Sequence, residues 1–124
     1  FEAAEDARED GALLAEFRIA PWLFERHGVS GDSAVEAMLA GLARSPLPSG
    51  LIVCAMRNFG TDHVRRSAEL ALRWAARGAT PGPRVIAFDL AGAERGHPVA
   101  EHAAALARVR EAGLPMTLHA GEAD

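Results

Sequence analysis

The stretch Leu51-Ile-Val-Cys-Ala-Met-Arg57 is apolar at six consecutive positions and then turns charged. A strand with one wet face alternates apolar and polar residues, whereas an unbroken run marks a strand covered on both sides, the usual condition of a parallel strand. Parallel strands need crossover connections, so helices should flank this one. Upstream, Val35, Met38, Leu39 and Leu42 repeat at the 3-4 spacing of a buried helical stripe, and Ser45-Pro-Leu-Pro-Ser-Gly50 ends it. Asp32 or Ser33 is expected to cap that helix, Ser33 forming a capping box with Glu36. Downstream, Thr61 or Asp62 is expected to cap a helix running to about Arg77, with Val64, Ala68, Leu72 and Ala75 on one side and a turn at Thr80-Pro-Gly-Pro83.

Further out the same alternation continues. Ala12 to Ile19 reads as a strand with Glu16 and Arg18 on one face, stopped by Pro21 and followed by a loop or short helical turn. Phe1 to Asp10 reads as the tail of a helix closed at Gly11. Val85 to Asp89 is a third strand, Leu90 to Pro98 a loop, Val99 to Ala112 an amphipathic helix ended by Gly113, and Pro115 opens a buried fourth strand that ends at His119.

Strand ends therefore fall near residues 19, 56, 89 and 119, the rhythm of parallel strands with helical crossovers. A doubly wound nucleotide-binding sheet would show a glycine-rich phosphate turn after its first strand, and none is present. Instead Arg18, Arg57, Asp89 and His119 put a charged or metal-capable side chain at every carboxyl end. That is the rim on which (β/α)₈ barrel enzymes place their chemistry. The expected fold is α/β, parallel (β/α) units forming about half of a TIM-type barrel, with residues 1–124 as one partial barrel domain.

Composition excludes several classes. The formal net charge is −4 and the 13 basic side chains are scattered arginines, so no basic stripe suits a phosphate backbone. Nucleic acid is not an expected partner. The single cysteine, Cys54, reads as a small core residue in a reducing compartment. No apolar run approaches the ~20 residues of a membrane span, and a cytoplasmic protein is expected. The chain starts at Phe1 without a methionine and stops two residues after Glu122, which reads as a piece of a longer protein, truncated at both ends.

The chemistry concentrates in His119-Ala-Gly-Glu122. A histidine at a strand end offers a ring nitrogen to a metal, and a glutamate three residues on, past a glycine that folds the turn tightly, reaches the same space. A metal-bound imidazole beside a carboxylate that is not itself a ligand is suited to hydrolysis.

Glu16-Phe-Arg18 with Ala20-Pro21, Cys54-Ala-Met-Arg57, Asp89-Leu-Ala-Gly-Ala-Glu94 and His119-Ala-Gly-Glu122, in this order, resemble the adenosine deaminase family of zinc hydrolases. The resemblance covers the whole chain and places it on the second to fifth strands of that family's barrel. It implies hydrolytic deamination of adenosine or 2′-deoxyadenosine to the inosine product and ammonia, in purine salvage. By it His119 is a zinc ligand, and Glu122 is the acid that protonates the purine at N1 while zinc-activated water attacks C6. The Gly92 N–H donates to N3 and Met56 lines the nucleoside pocket. Asp89, Glu16, Arg18 and Arg57 are expected to form a buried polar network bracing the rim. His27, His63, His97 and His102 match no ligand position and are expected on the surface or in loops.

The family also takes zinc ligands from a His-x-His on its first strand and from later strands, and neither occurs in these residues. One ligand does not hold catalytic zinc, so the segment alone is expected to be inert and, with open barrel edges, to self-associate. Deaminases of adenine or another 6-aminopurine remain an alternative, as does a non-catalytic half barrel.

Overall fold

The computed structural model describes residues 1–77 and 81–123. Helices and strands alternate: α1 (Glu2–Glu9), β1 (Ala15–Ile19), α2 (Gly31–Leu42), β2 (Ser49–Met56), α3 (Thr61–Ala75), β3 (Val85–Ala91), α4 (Ala103–Glu111) and β4 (Met116–Leu118). Short 3-10 segments follow β1 (Pro21–His27), follow β2 (Arg57–Phe59) and precede α4 (Val99–His102). The strands form one sheet in the order β1-β2-β3-β4, and every neighbouring pair is parallel. Four consecutive parallel strands joined by three helical crossovers give the partial barrel sheet that the strand spacing predicts.

The two faces of this sheet differ in chemistry. Leu51, Val53 and Ala55 of β2, with Phe88 and Leu90 of β3, join one core with Ala4, Val35, Leu42, Val64, Ala68, Ala71, Ala105 and Val109, so all four helices pack on that face. The intervening residues, Arg18, Cys54, Asp89 and Thr117, point the other way, because successive strand side chains alternate. β2 is buried throughout its middle, as its unbroken apolar run requires.

Several local expectations are corrected. The cap of α2 is Ser30, whose Oγ accepts from the Ser33 N–H at 3.1 Å. Asp32 instead accepts from Trp74 Nε1 at 2.9 Å and Arg73 Nη2 at 2.9 Å on α3, a tertiary contact that competes with capping. Gly60 precedes α3 with no side-chain cap, and Asp62 pairs with Arg65 one turn on at 2.5 Å. Leu13 and Leu14 lie outside β1 and are exposed, and β4 is half exposed rather than buried, since no strand among the described residues pairs with its far edge. The expected turn at Thr80-Pro-Gly-Pro83 begins outside the described residues, and Asp124 also lies outside them.

The arginines lace the helical surface. Arg65 and Arg108 share Glu69, and Arg66 reaches Glu25. Such exposed pairs contribute about 0–1 kcal/mol each, so stability rests on the buried face. Phe88, fully buried at its centre, is the test: Phe88→Ala should lower unfolding free energy by ~3–5 kcal/mol, read as a lower denaturant midpoint at unchanged slope.

Candidate active site

The carboxyl ends of the four strands carry two polar clusters that meet at His119. The first surrounds Asp89, whose side chain is fully buried. Register sets it up: Cys54 and Thr117 are the direct β2 and β4 neighbours of Asp89 across the sheet. Thr117 Oγ1 donates to Asp89 Oδ1 at 2.7 Å and the Cys54 thiol approaches Oδ2 at 3.3 Å. Arg18 Nε lies 3.1 Å from the same Oδ2, bringing a cation across from β1, and its Nη2 reaches Thr117 at 3.4 Å. His119 Nδ1 is 3.0 Å from Asp89 Oδ2, a close electrostatic contact that does not form a hydrogen bond. Burial, and then the adjacent Asp89, push the Cys54 thiol up to about 12, so it is a neutral donor and not a nucleophile.

The second cluster centres on Arg57, only 3% exposed, at the mouth of β2. Its Nη2 donates to the His119 carbonyl and its Nη1 faces Glu94 Oε1 at 4.0 Å. Glu94 in turn accepts the backbone N–H groups of Gly121, Glu122 and Ala123 at 3.1, 3.0 and 3.3 Å. The Gly121 and Glu122 amides are the main reason the Glu94 carboxyl sits below the usual carboxylate range. A hollow of ≈ 120 Å³ opens here, lined by Arg57, Glu94, Val99 and His119 among others.

The remaining expected residues fall around this rim. Gly92 has φ +91 and presses on the end of β2; a Cβ there would overlap Asn58 Oδ1 and meet Arg57 N at 3.1 Å. Met56 ends β2, half-buried, opposite Ala91. Glu122 is exposed in the turn after β4, three residues from His119. Glu16, expected in the buried network, is exposed and makes no ion pair or hydrogen bond with Asp89, Arg18 or Arg57: it stands two residues before Arg18 on the same face, one step further from the rim.

Two histidines expected at the surface are not there. His102 is 2% exposed, and its burial lowers its pKa. His63 Nε2 accepts the Met56 backbone N–H at 3.1 Å, and its ring stands edge-on to Phe59 at 5.2 Å. Cys54 and Glu94 belong to the motifs quoted above and His63 to the histidines expected at the surface, but their contacts here, and those of Asn58 and Thr117, are not written in the sequence pattern. Thr117 carried a signal in being two before His119 in an extended strand.

Among the described residues no group of three metal-capable side chains comes together, and no helix is long and apolar enough to cross a membrane. His119 nonetheless fits a single metal position, since Nδ1 turned to Asp89 leaves Nε2 as the available nitrogen.

Burial depresses the His63 pKa, so the unfolded chain takes up this proton first as pH falls below about 6.5. Stability should therefore be full above that value and decline as the pH falls below it. His63→Gln, which keeps an acceptor for Met56 without titrating, should remove part of the decline in a denaturant midpoint series; an unchanged pH dependence would contradict this.

The adenosine deaminase family model matches residues 1–124. The adenosine deaminase of Mycobacterium avium is 39% identical over 99% of this chain, and the match takes up 34% of that protein. The adenine deaminase of Arthrobacter aurescens superposes with a TM-score of 0.83 at 24% identity, over 99% of this chain and 37% of that one. A Zn-bound amidohydrolase from Burkholderia ambifaria gives 0.77 at 22% identity, over 98% of this chain and 33% of that one. The chain thus spans about a third of the length of the curated relatives it matches. With a family model fitted from end to end over the same residues that build the rim, this chain belongs to the adenosine deaminase family.

Proposed function

We propose that this segment supplies the β4 zinc ligand and the proton donor of a hydrolytic deaminase acting on a 6-aminopurine nucleoside, adenosine or 2′-deoxyadenosine, giving the inosine product and ammonia in purine salvage. One observation carries the reading: His119 is held against Asp89 with one ring nitrogen left over, at the start of the turn that bears Glu122. The 39% likeness to an adenosine deaminase favours the nucleoside. The likeness to an adenine deaminase is of fold, and leaves the free base as the second substrate to test.

His119 would contribute one ligand to the zinc, with the others supplied from outside this chain. When bound, the metal supplies a water acidic enough to attack at neutral pH. Glu122 holds the proton that passes to purine N1, so that C6 accepts water and releases ammonia without building a full negative charge on the ring. Gly92, lacking a Cβ, lets the backbone come close to a flat heterocycle, and its N–H is the donor proposed for N3. Met56 gives the pocket an adaptable apolar wall. Asp89 orients the imidazole of His119, Arg18 balances its charge, and Arg57 fixes the His119 carbonyl. Glu16 is left with a contribution to the rim's charge alone. The partner is a small purine, the compartment the cytoplasm, and the 124-residue chain alone should associate through the open edges of β1 and β4.

In the full-length protein His119→Ala should lower both zinc content and rate. Glu122→Gln should keep its zinc and lose ~10²–10⁴ in turnover, as expected for a lost general acid. Metal analysis with kinetics on adenosine, deoxyadenosine and adenine tests this. Loss of zinc in Glu122→Gln, or near-normal turnover, would remove Glu122 from the role.

A further inference from the structure

Glu94 sits in the loop after β3, distant in sequence from the proposed reacting groups, yet its carboxylate takes three consecutive backbone N–H groups from another loop. Those amides belong to Gly121, Glu122 and Ala123, the turn that presents the proposed acid. A surface carboxylate serving only solubility would face water. This one is 28% exposed, and its charge is matched on the protein side by Arg57. Arg57 completes the grip from the other end of the turn by donating to the His119 carbonyl.

We propose that Glu94 is a positioning residue for Glu122, acting with Arg57 as a charged clamp that holds the turn 119–123 in one conformation. Donors and acceptors are complementary at this turn, although Arg57 Nε is buried without a hydrogen-bond partner of its own. The guanidinium has donors only and takes the one carbonyl, while the ionised carboxylate has acceptors only and takes the three amides. Gly121, at φ +78, supplies the left-handed step that points successive N–H groups toward one anion. The carboxyl is already held below its usual range, so the clamp stays charged through the neutral and mildly acidic range. Glu122 itself is exposed, with no side-chain hydrogen bond among the described residues, so its direction depends on the backbone that Glu94 holds.

The catalytic part of this proposal rests on Glu122 being the acid, while the clamp itself does not. The test uses the full-length, zinc-loaded protein with Glu94→Gln, Glu94→Ala, Glu122→Gln and the Glu94→Ala/Glu122→Gln double variant. Amide hydrogen exchange reads the clamp directly. In Glu94→Ala the amides of 121–123 should exchange at least ~10-fold faster while those of β3 stay protected. Glu94→Gln, with one acceptor oxygen left, should fall between.

Kinetics read the consequence. Glu94→Ala should lower kcat by ~10- to 100-fold with KM within ~3-fold and zinc content unchanged, and should cost less than ~3-fold more when Glu122 is already Gln. Unchanged exchange at 121–123 overturns the clamp. Single-variant losses that multiply in the double variant overturn its action through Glu122. Full turnover in Glu122→Gln alone would sink the acid role and not the clamp, which the exchange data decide separately.

Discussion

A carboxylate with no exposed surface is the constraint on which this rim depends. An ion of this size taken out of water costs several kcal/mol unless its oxygens find partners, and Asp89 is fully buried. Its partners come from three other strands: Arg18 of β1, Cys54 of β2, Thr117 of β4 and His119 just past β4. The parallel register puts Cys54, Asp89 and Thr117 side by side, and a slip of one residue would turn each of those side chains into the helix-packed core. The apolar packing on the opposite face therefore fixes the polar geometry on this one. A single group at the sheet centre thus ties the fold to the orientation of the proposed ligand.

His119 is over-determined as a result. Its backbone N–H is donated to the Leu90 carbonyl at 2.9 Å, its carbonyl is taken by Arg57, and its ring faces Asp89. Three independent anchors leave one nitrogen with freedom to bind. This is the preorganisation that a metal position needs and that a surface histidine lacks. A larger hollow, ≈ 620 Å³ between Leu72, Arg84 and Leu114, lies at the opposite ends of the strands. Size is not what singles out the proposed site; the convergence of charged groups at the carboxyl ends is.

Most of the architecture was legible in the sequence because it is written in apolar periodicity. The unbroken run of β2, the 3-4 stripe of α2 and the evenly spaced strand ends each report burial of many residues at once. The failures are single contacts. Asp32 reads as a cap but is taken by Trp74 and Arg73, forty residues away in the chain. His102 reads as a loop residue but is buried where the 3-10 segment Val99–His102 meets α4. At the site, His119, Arg57 and Asp89 stand out as polar residues ending apolar strands. Glu94 does not, since nothing local says that its loop folds back onto residues 121–123. Glu16 shows the converse: period two places it correctly on the face of Arg18, but the pattern does not give its distance from the rim.

Asp89, in the proposed role, fixes which nitrogen of His119 would be offered to a metal. The direct measurement is ¹⁵N NMR of His119 in the zinc-loaded, full-length protein, wild type beside Asp89→Asn. The expected wild-type state has Nδ1 protonated and facing Asp89 and leaves Nε2 for the metal; Asp89→Asn should lose that single state and retain zinc more weakly. Zinc bound through Nδ1, or a His119 signal unaltered by Asp89→Asn, would contradict it.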